Sequence, residues 1–284
     1  MTRYRGLLQG VTALRLAWMT LSITHLGSGS RGNATLIATD ETKILVDCGF
    51  SGKQIEKRLG LLEISPKELD AILISHHHMD HSKGATITQK RWGTEIWANF
   101  ETCARLGMDP VNECRLFEPL TRIDIGSDLS ILPVSVNHDE ADNVGFIASH
   151  RGERAAVVTD LGSWNDELAR HMSECVHISI EANYDSKRLW NGPYPERLKQ
   201  RIGGRGGHLS NRQTADLLSN VVGDQTRSIV LSHLSVQNNA PHLAESEVLM
   251  EIDEVFTGDI SISTQEGPEF CHYLGQSESE KIAI

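Results

Sequence analysis

Ser75-His76-His77-His78-Met79-Asp80-His81-Ser82-Lys83-Gly84 is the stretch on which the fold of this chain turns. It follows residues 70–75 (DAILIS), a short and almost wholly apolar run of the kind that suits a strand covered on both faces. Side chains two apart at a strand end point the same way, so His76 and His78 can converge on one ion. Asp80 and His81 come where the chain must turn, and can face a second ion. Neutral imidazoles with a carboxylate suit zinc and manganese, and iron as a further candidate. His77 points away on this reading and is structural. The competing reading is a surface histidine patch or a hydrogen-bonded turn.

Three positions further along bear on the choice. His138 follows the strand-like run 132–137, Asp160 follows 155–159, and His233 follows 229–232. Each alone is more often a satisfied polar group than a ligand. Three together, each just past a strand-like run, are harder to dismiss.

The order H-x-H-x-D-H, His, Asp, His is similar to that of the metallo-β-lactamase superfamily in residue type and spacing. The resemblance covers residues 20 to about 273 and implies an αββα four-layer sandwich. It also implies two divalent metal ions, one held by His76, His78 and His138, the other by Asp80, His81 and His233, with Asp160 between them. His81 after Asp80 resembles the hydrolase branches rather than the common β-lactamases. Further segments look like the YycJ/WalJ group of 5′→3′ DNA exonucleases: LGSGSRGNATLI (26–37), LVDCG (45–49), NHDEADNVGF (137–146), EANYD (181–185), LWNGPYPERLKQRIGGRGGHLSN (189–211) and LSHLSVQNN (231–239). Tyr184 departs from that group, in which a histidine is common.

Composition narrows the rest. The 284 residues suffice for a sizeable core, and 39% apolar with 23% charged residues describes an ordinary globular chain. No apolar run is long enough to span a membrane. Five scattered cysteines, none in C-x-x-C, argue against a disulfide framework and fit the cytoplasm. Residues 1–18 carry Arg3, Arg5 and Arg15 around a weakly apolar run that Gln9 and Arg15 interrupt. They read as an extension and not as a secretory signal, with Met19 a candidate start.

From residue 20 onward no repeat or linker breaks the chain, which points to a single domain over 19–284. Strand-type runs are expected at 21–26, 34–38, 43–46, 70–75, 95–98, 130–136, 144–149, 155–159, 176–180, 228–231 and 260–263. Helical patterns lie at 51–59, 100–106, 166–172, 211–221 and 243–255. Two sheets with helices outside, an α/β (α+β) fold, is one layered solution that buries so many elements.

The formal net charge of −11 counts against a general nucleic-acid binder. The insert at about 183–212 is the exception: within residues 186–212, Lys187, Arg188, Arg197, Lys199, Arg201, Arg205 and Arg212 stand against the single acid Glu196. Asn183, Arg188, Lys199, Arg201, Arg205 and His208 are the expected substrate contacts, through phosphate binding. Trp190 and Tyr194 offer stacking surfaces for a single-stranded end. The plainer alternative is a solvated helix face. The glycine run before His208 reads as a mobile or sharply turned loop, because glycine takes positive φ cheaply. His208 contacts the scissile phosphate or assists the leaving group, or else braces that loop. Asp47 is expected to brace the ligand histidines.

The expected chemistry is phosphodiester hydrolysis from DNA 5′ ends by a water bridged between two ions about 3.5–4 Å apart. Asp80, Asp160 and His208 are its catalytic candidates. A small-molecule hydrolase on the same ions (a cyclic phosphodiesterase, or a thioester or lactone hydrolase) and a non-catalytic metal-binding module are the rivals.

Overall fold

The computed structural model describes residues 19–139, 142–275 and 279–284. The expected extension over 1–18 lies outside them. Strands β1 (Met19–Gly27), β2 (Ala34–Ala38), β3 (Lys43–Val46), β4 (Ala71–Leu73), β5 (Glu95–Ala98) and β6 (Arg115–Leu116) build one sheet with two late strands. Seven more, β7 (Ile123–Ile125), β8 (Leu129–Val136), β9 (Asn143–His150), β10 (Glu153–Val158), β11 (His177–Glu181), β12 (Ser228–Ser232) and β13 (Asp259–Ile262), form a second sheet. The late strands β14 (Phe270–Gly275) and β15 (Ser279–Ala283) complete the first, whose order is β15-β14-β1-β2-β3-β4-β5-β6.

Helices connect them: α1 (Gly52–Gly60), α2 (Met79–Ser82), α3 (Ala85–Trp92), α4 (Phe100–Arg105), α5 (Asp166–Met172), α6 (Ser186–Asn191), α7 (Glu196–Ile202), α8 (Asn211–Val221) and α9 (Pro241–Ile252).

The period of two along each strand sorts side chains into separate cores. Ile44, Val46, Ala71 and Leu73 point inward to meet Ile131, Phe146, Ala148 and Val157 of the second sheet. Leu45, Ile72 and Ile74 point outward, onto Ile55 and Leu59 of α1. On the other flank Ile147, Val158, Ile178 and Ile180 face Leu168 of α5, Leu217 and Leu218 of α8 and Val248 of α9. Three apolar layers between four structural ones is the αββα sandwich.

One strip between the sheets is polar instead. Ser179 Oγ on β11 lies 2.8 Å from His25 Nε2 on β1 and 2.8 Å from His177 Nε2, so a single hydroxyl joins the two sheets. Thr35 holds the other nitrogen of His25, Ser228 that of His177, and His272 of β14 stacks at 5.1 Å from His177.

Topology then collects the chain ends that matter. β10, β11 and β12 run parallel, and β8 reaches the same direction through antiparallel β9. Residues just beyond their C-terminal ends therefore meet at one edge of the sandwich. The segment leaving β4 arrives there from the other sheet. Among the described residues no helix is long and apolar enough to cross a membrane.

Element bounds mostly follow the expected pattern, with instructive departures. The last long helix begins at Pro241, which takes the first helical position because its missing N–H is not needed there, and it ends at Ile252 rather than 255. Ser51 occupies the N-cap of α1 without a side-chain cap bond. Ser210 forms a full capping box with Gln213 at α8. Helices α2, α3, α6 and α7 and strands β6, β7, β14 and β15 were not expected.

Candidate metal centre

Five elements deliver the site. His76 and His78 leave β4, Asp80 and His81 sit on α2, and His138, Asp160 and His233 follow β8, β10 and β12. One ring nitrogen from each of His76, His78 and His138 lies within 4.8 Å of the others. Ligand atoms of Asp80, His81 and His233 form a second set within the same limit, and His76, His81 and Asp160 a third. Asp160 thus stands where the two main sets meet. His77 belongs to none of them.

The outward-facing nitrogens are held by the surrounding shell. His138 Nδ1–H donates to the Gly207 carbonyl at 2.8 Å. His233 Nδ1 lies 2.9 Å from Glu181 Oε2, and His81 Nδ1 lies 2.6 Å from Asp47 Oδ2. His76 Nδ1 is 3.0 Å from Ser75 Oγ, whose own hydrogen goes to Asp47. His78 is turned the other way, with Nε2 2.9 Å from Asp139 Oδ2 and Nδ1 3.0 Å from His76 Nε2. Partners of this kind fix which nitrogen carries the proton and aim the other one at an ion.

Burial supplies the test of fit. His138 Nε2 and His233 Nε2 are buried without a hydrogen-bond partner, and Asp160 Oδ2 faces His81 Nε2 at 2.6 Å. Buried polar atoms left unpaired are costly, and divalent cations among them would satisfy both nitrogens. The donor set of imidazoles and carboxylates fits such ions.

The charges agree. Burial alone would lower the His81 pKa, but Asp160 and Asp47 outweigh it and push it to about 10. His233 is raised well above the usual histidine value for the same reason, with Asp160 its strongest partner. Asp160, despite burial, is held well below the carboxylate range by His233 and His81. Protons on two imidazoles here balance a buried acid; a divalent cation would take over that balance and release them.

The backbone is bent to reach this geometry. Asp47, Asp139, Asp160 and His233 all have positive φ, between 49° and 62°. Such conformations cost energy in non-glycine residues and cluster at functional sites. Gly49 is required by proximity: a Cβ there would lie 1.7 Å from the Asp80 carbonyl oxygen. The glycine run before His208 corrects the expectation of a loop made for positive φ, since none of its glycines adopts one. They serve close packing instead; a Cβ on Gly207 would lie 2.2 Å from the Ile202 carbonyl.

α7 and the glycine run cover the cluster, leaving a cleft lined by Ser30, Leu198, Arg201, Ile202 and His208 over the ligand side chains. His208 Nδ1 is 3.0 Å from Glu181 Oε2 and 3.2 Å from Asp160 Oδ1. Burial lowers its pKa, yet Glu181 and Asp160 outweigh this and raise it. Arg201 reaches Asp139 Oδ2 at 3.4 Å. Arg205, Arg197 and Lys187 are exposed.

Other expected contacts face elsewhere. Asn183 is buried, and its amide donates to the His233 carbonyl at 2.9 Å, bracing a ligand instead of meeting substrate. Lys199 is also buried and caps the end of α6 through the Trp190 carbonyl at 2.8 Å. The Arg188 guanidinium donates to the Asn239 carbonyl at 2.7 Å, and Arg212 pairs with Asp216 and Glu251. The run is basic partly because α6 is pinned to the body, and α7 to α6, by cations over carbonyls. Tyr184 is buried, its hydroxyl directed at Gln213.

Sequence reading gave no role to Glu181, Asp139 or Asn33. Glu181 ends an apolar strand, and Asp139 directly follows a ligand histidine; those positions were the available signals. Asn33 Nδ2 lies 3.0 Å from His81 Nε2, and Ser28 Oγ accepts the His233 N–H at 2.8 Å, so the 27–33 connection also floors the site.

Residues 27–167 match the family model of the metallo-β-lactamase superfamily. The exodeoxyribonuclease WalJ of Streptococcus pneumoniae serotype 2 is 33% identical over 239 residues, covering 82% of this chain and 88% of the relative. The chain belongs to the metallo-β-lactamase superfamily. Within that superfamily, the exodeoxyribonuclease YycJ of Bacillus anthracis is 30% identical over 240 residues, covering 83% of this chain and 90% of its own. The superfamily fold is echoed by the metallo-β-lactamase fold protein YhfI of Bacillus subtilis, with a TM-score of 0.67 at 15% identity, 92% of this chain and 99% of that one.

Proposed function

We propose that this chain is an exonuclease that hydrolyses DNA phosphodiester bonds from 5′ ends in the cytoplasm. The observation that carries the reading is His208: an imidazole outside the two main ligand sets, held by Glu181 beside Asp160, in a cleft that Arg201 overhangs. Two divalent ions, zinc or manganese with iron a further candidate, supply Lewis acidity toward phosphoryl oxygens and lower the pKa of water toward neutrality. His76, His78 and His138 would hold one, Asp80, His81 and His233 the other, with Asp160 between.

The chain's own groups then divide the work. Asp160 and Asp80 present carboxylate oxygens to the attacking water and orient it. With Nδ1 occupied by Glu181 and its pKa raised, His208 keeps an Nε2–H to give to the phosphate or to the departing 3′ oxygen. Arg201 meets a non-bridging phosphate oxygen, and the exposed Lys187, Arg197 and Arg205 continue the basic track along the strand. Trp190, 45% exposed, offers a face for a base. The exodeoxyribonuclease activity named for WalJ and YycJ supports DNA as the substrate.

The test incubates metal-reconstituted protein with 5′-phosphorylated, 3′-labelled DNA and RNA duplexes. DNA shortened progressively from its 5′ end is the expected product. Intact DNA alongside turnover of a cyclic nucleotide, thioester or lactone would replace this reading with a small-molecule hydrolase.

A further inference from the structure

The cleft holds a carboxylate that neither the ligand sets nor the His208–Glu181 pair uses. Asp139 Oδ2 lies 2.9 Å from His78 Nε2 and accepts a hydrogen bond from Arg201 Nη2 at 3.4 Å, so one oxygen touches a ligand histidine and the arginine of α7. The same oxygen is 3.8 Å from His138 Nε2, beyond hydrogen-bonding distance. Its backbone is fixed as firmly as its side chain. Asp139 N–H donates to the Gly206 carbonyl at 2.7 Å, two residues before His208, and its φ is 49°.

We infer that Asp139 is a positioning residue with two side chains in its care: it keeps His78 turned so that Nδ1 faces the ion, and it holds Arg201 over the cleft for a substrate phosphate. The inference rests on the phosphodiester reading of this cleft. Its physical need is plain. Arg201 is 66% exposed in its side chain, and two divalent ions below it would repel a guanidinium. A carboxylate between them offsets that repulsion. Asp139 engages one of the two hydrogens on Nη2, which leaves the guanidinium edge on the other side of that nitrogen for a phosphodiester oxygen pair. The arginine therefore need not leave the acid when substrate arrives.

This gives an expectation opposite in sign to simple charge counting. Removing a negative charge beside the path of a polyanion should, by charge alone, tighten DNA binding. If Asp139 positions Arg201, Asp139→Asn weakens it. The experiment compares wild type, Asp139→Asn, Arg201→Gln and the double variant, each saturated with manganese. Affinity is read by fluorescence anisotropy with a short labelled single-stranded DNA carrying a 5′-phosphate and phosphorothioate linkages. Metal affinity is read separately by competition with a chromophoric chelator.

Asp139→Asn is expected to weaken metal binding about ten-fold through His78 and DNA binding about five-fold, the DNA loss vanishing in the Arg201→Gln background. Arg201→Lys, a surface change that leaves the fold alone, should weaken DNA binding by a similar factor with metal affinity unchanged, because an ammonium cannot serve acid and phosphate with fixed geometry. Tighter DNA binding by Asp139→Asn, or an equal loss with and without Arg201, would overturn the arginine half. Unchanged metal affinity in Asp139→Asn would overturn the histidine half. Wild-type protein that binds no oligonucleotide would instead remove the phosphodiester reading itself.

Discussion

Glu181 lies fully buried at the end of β11, its carboxylate 3.0 Å from His208 Nδ1 and 2.9 Å from His233 Nδ1. It also accepts the backbone N–H groups of Asp160 at 3.2 Å and Leu209 at 2.8 Å. Burial would raise its pKa, but His208 foremost, and His233, hold it at about 2. One acid thus fixes His233, a proposed metal ligand, His208, the proposed proton donor, and the backbone of Asp160. Glu181→Gln presents an amide NH2 to an imidazole N–H, and kcat should fall by about 100-fold or more, with metal affinity lowered about ten-fold; steady-state kinetics and chelator competition read the two separately. Asp80→Ala and His78→Ala each remove one proposed ligand. Neither should hydrolyse DNA, and elemental analysis should find less bound metal; sustained turnover by the Asp80 variant would sink the ligand assignment.

At the scale of elements, legibility depended on whether a segment's pattern was set by its own packing. β2, β3, β5, α5 and α8 have the bounds that their apolar period and flanking residues indicate. α5 and α8 each present an uninterrupted face to one core, while β2 and β3 bury opposite faces in two. α3 (ATITQKRW) was missed because its β-branched residues disfavour helix locally, and burial of Ala85 and Thr88 overrides that preference. α6 and α7 were read as an insert, since short helices broken by Pro193 and Pro195 show no sustained period. The 76–81 cluster could be read from sequence because its spacing is local, and His138, Asp160 and His233 because each follows a strand-like run; Glu181 could not be given its role, since it belongs to no motif and its partners lie 20 to 52 residues away. Ser210, the cap of α8 directly after the His208 loop, offers an element-scale test. Ser210→Ala should cost about 1 kcal/mol of stability, measured by urea unfolding, and leave metal content unchanged.

The whole molecule joins its sheets by two different means. Over most of their shared face the contact is apolar, and along one strip it is the strand of imidazoles and hydroxyls around Ser179. Burial, with His272 adding to it, lowers the His25 pKa to about 3. Burial lowers His177 well below its ordinary value, and lowers His272 to about 4 despite Asp259 at 4.0 Å. All three therefore stay neutral when folded, while the unfolded chain protonates them below about pH 6.5. Stability should then fall as pH drops below that point, by up to about 1.4 kcal/mol per pH unit for each histidine. Urea midpoints measured between pH 7 and 5 should show that slope, and His25→Gln should flatten it. An acidified sample of this protein would then fail like a book whose spine has been wetted: the two boards part along the imidazole margin first, while the apolar pages remain shut.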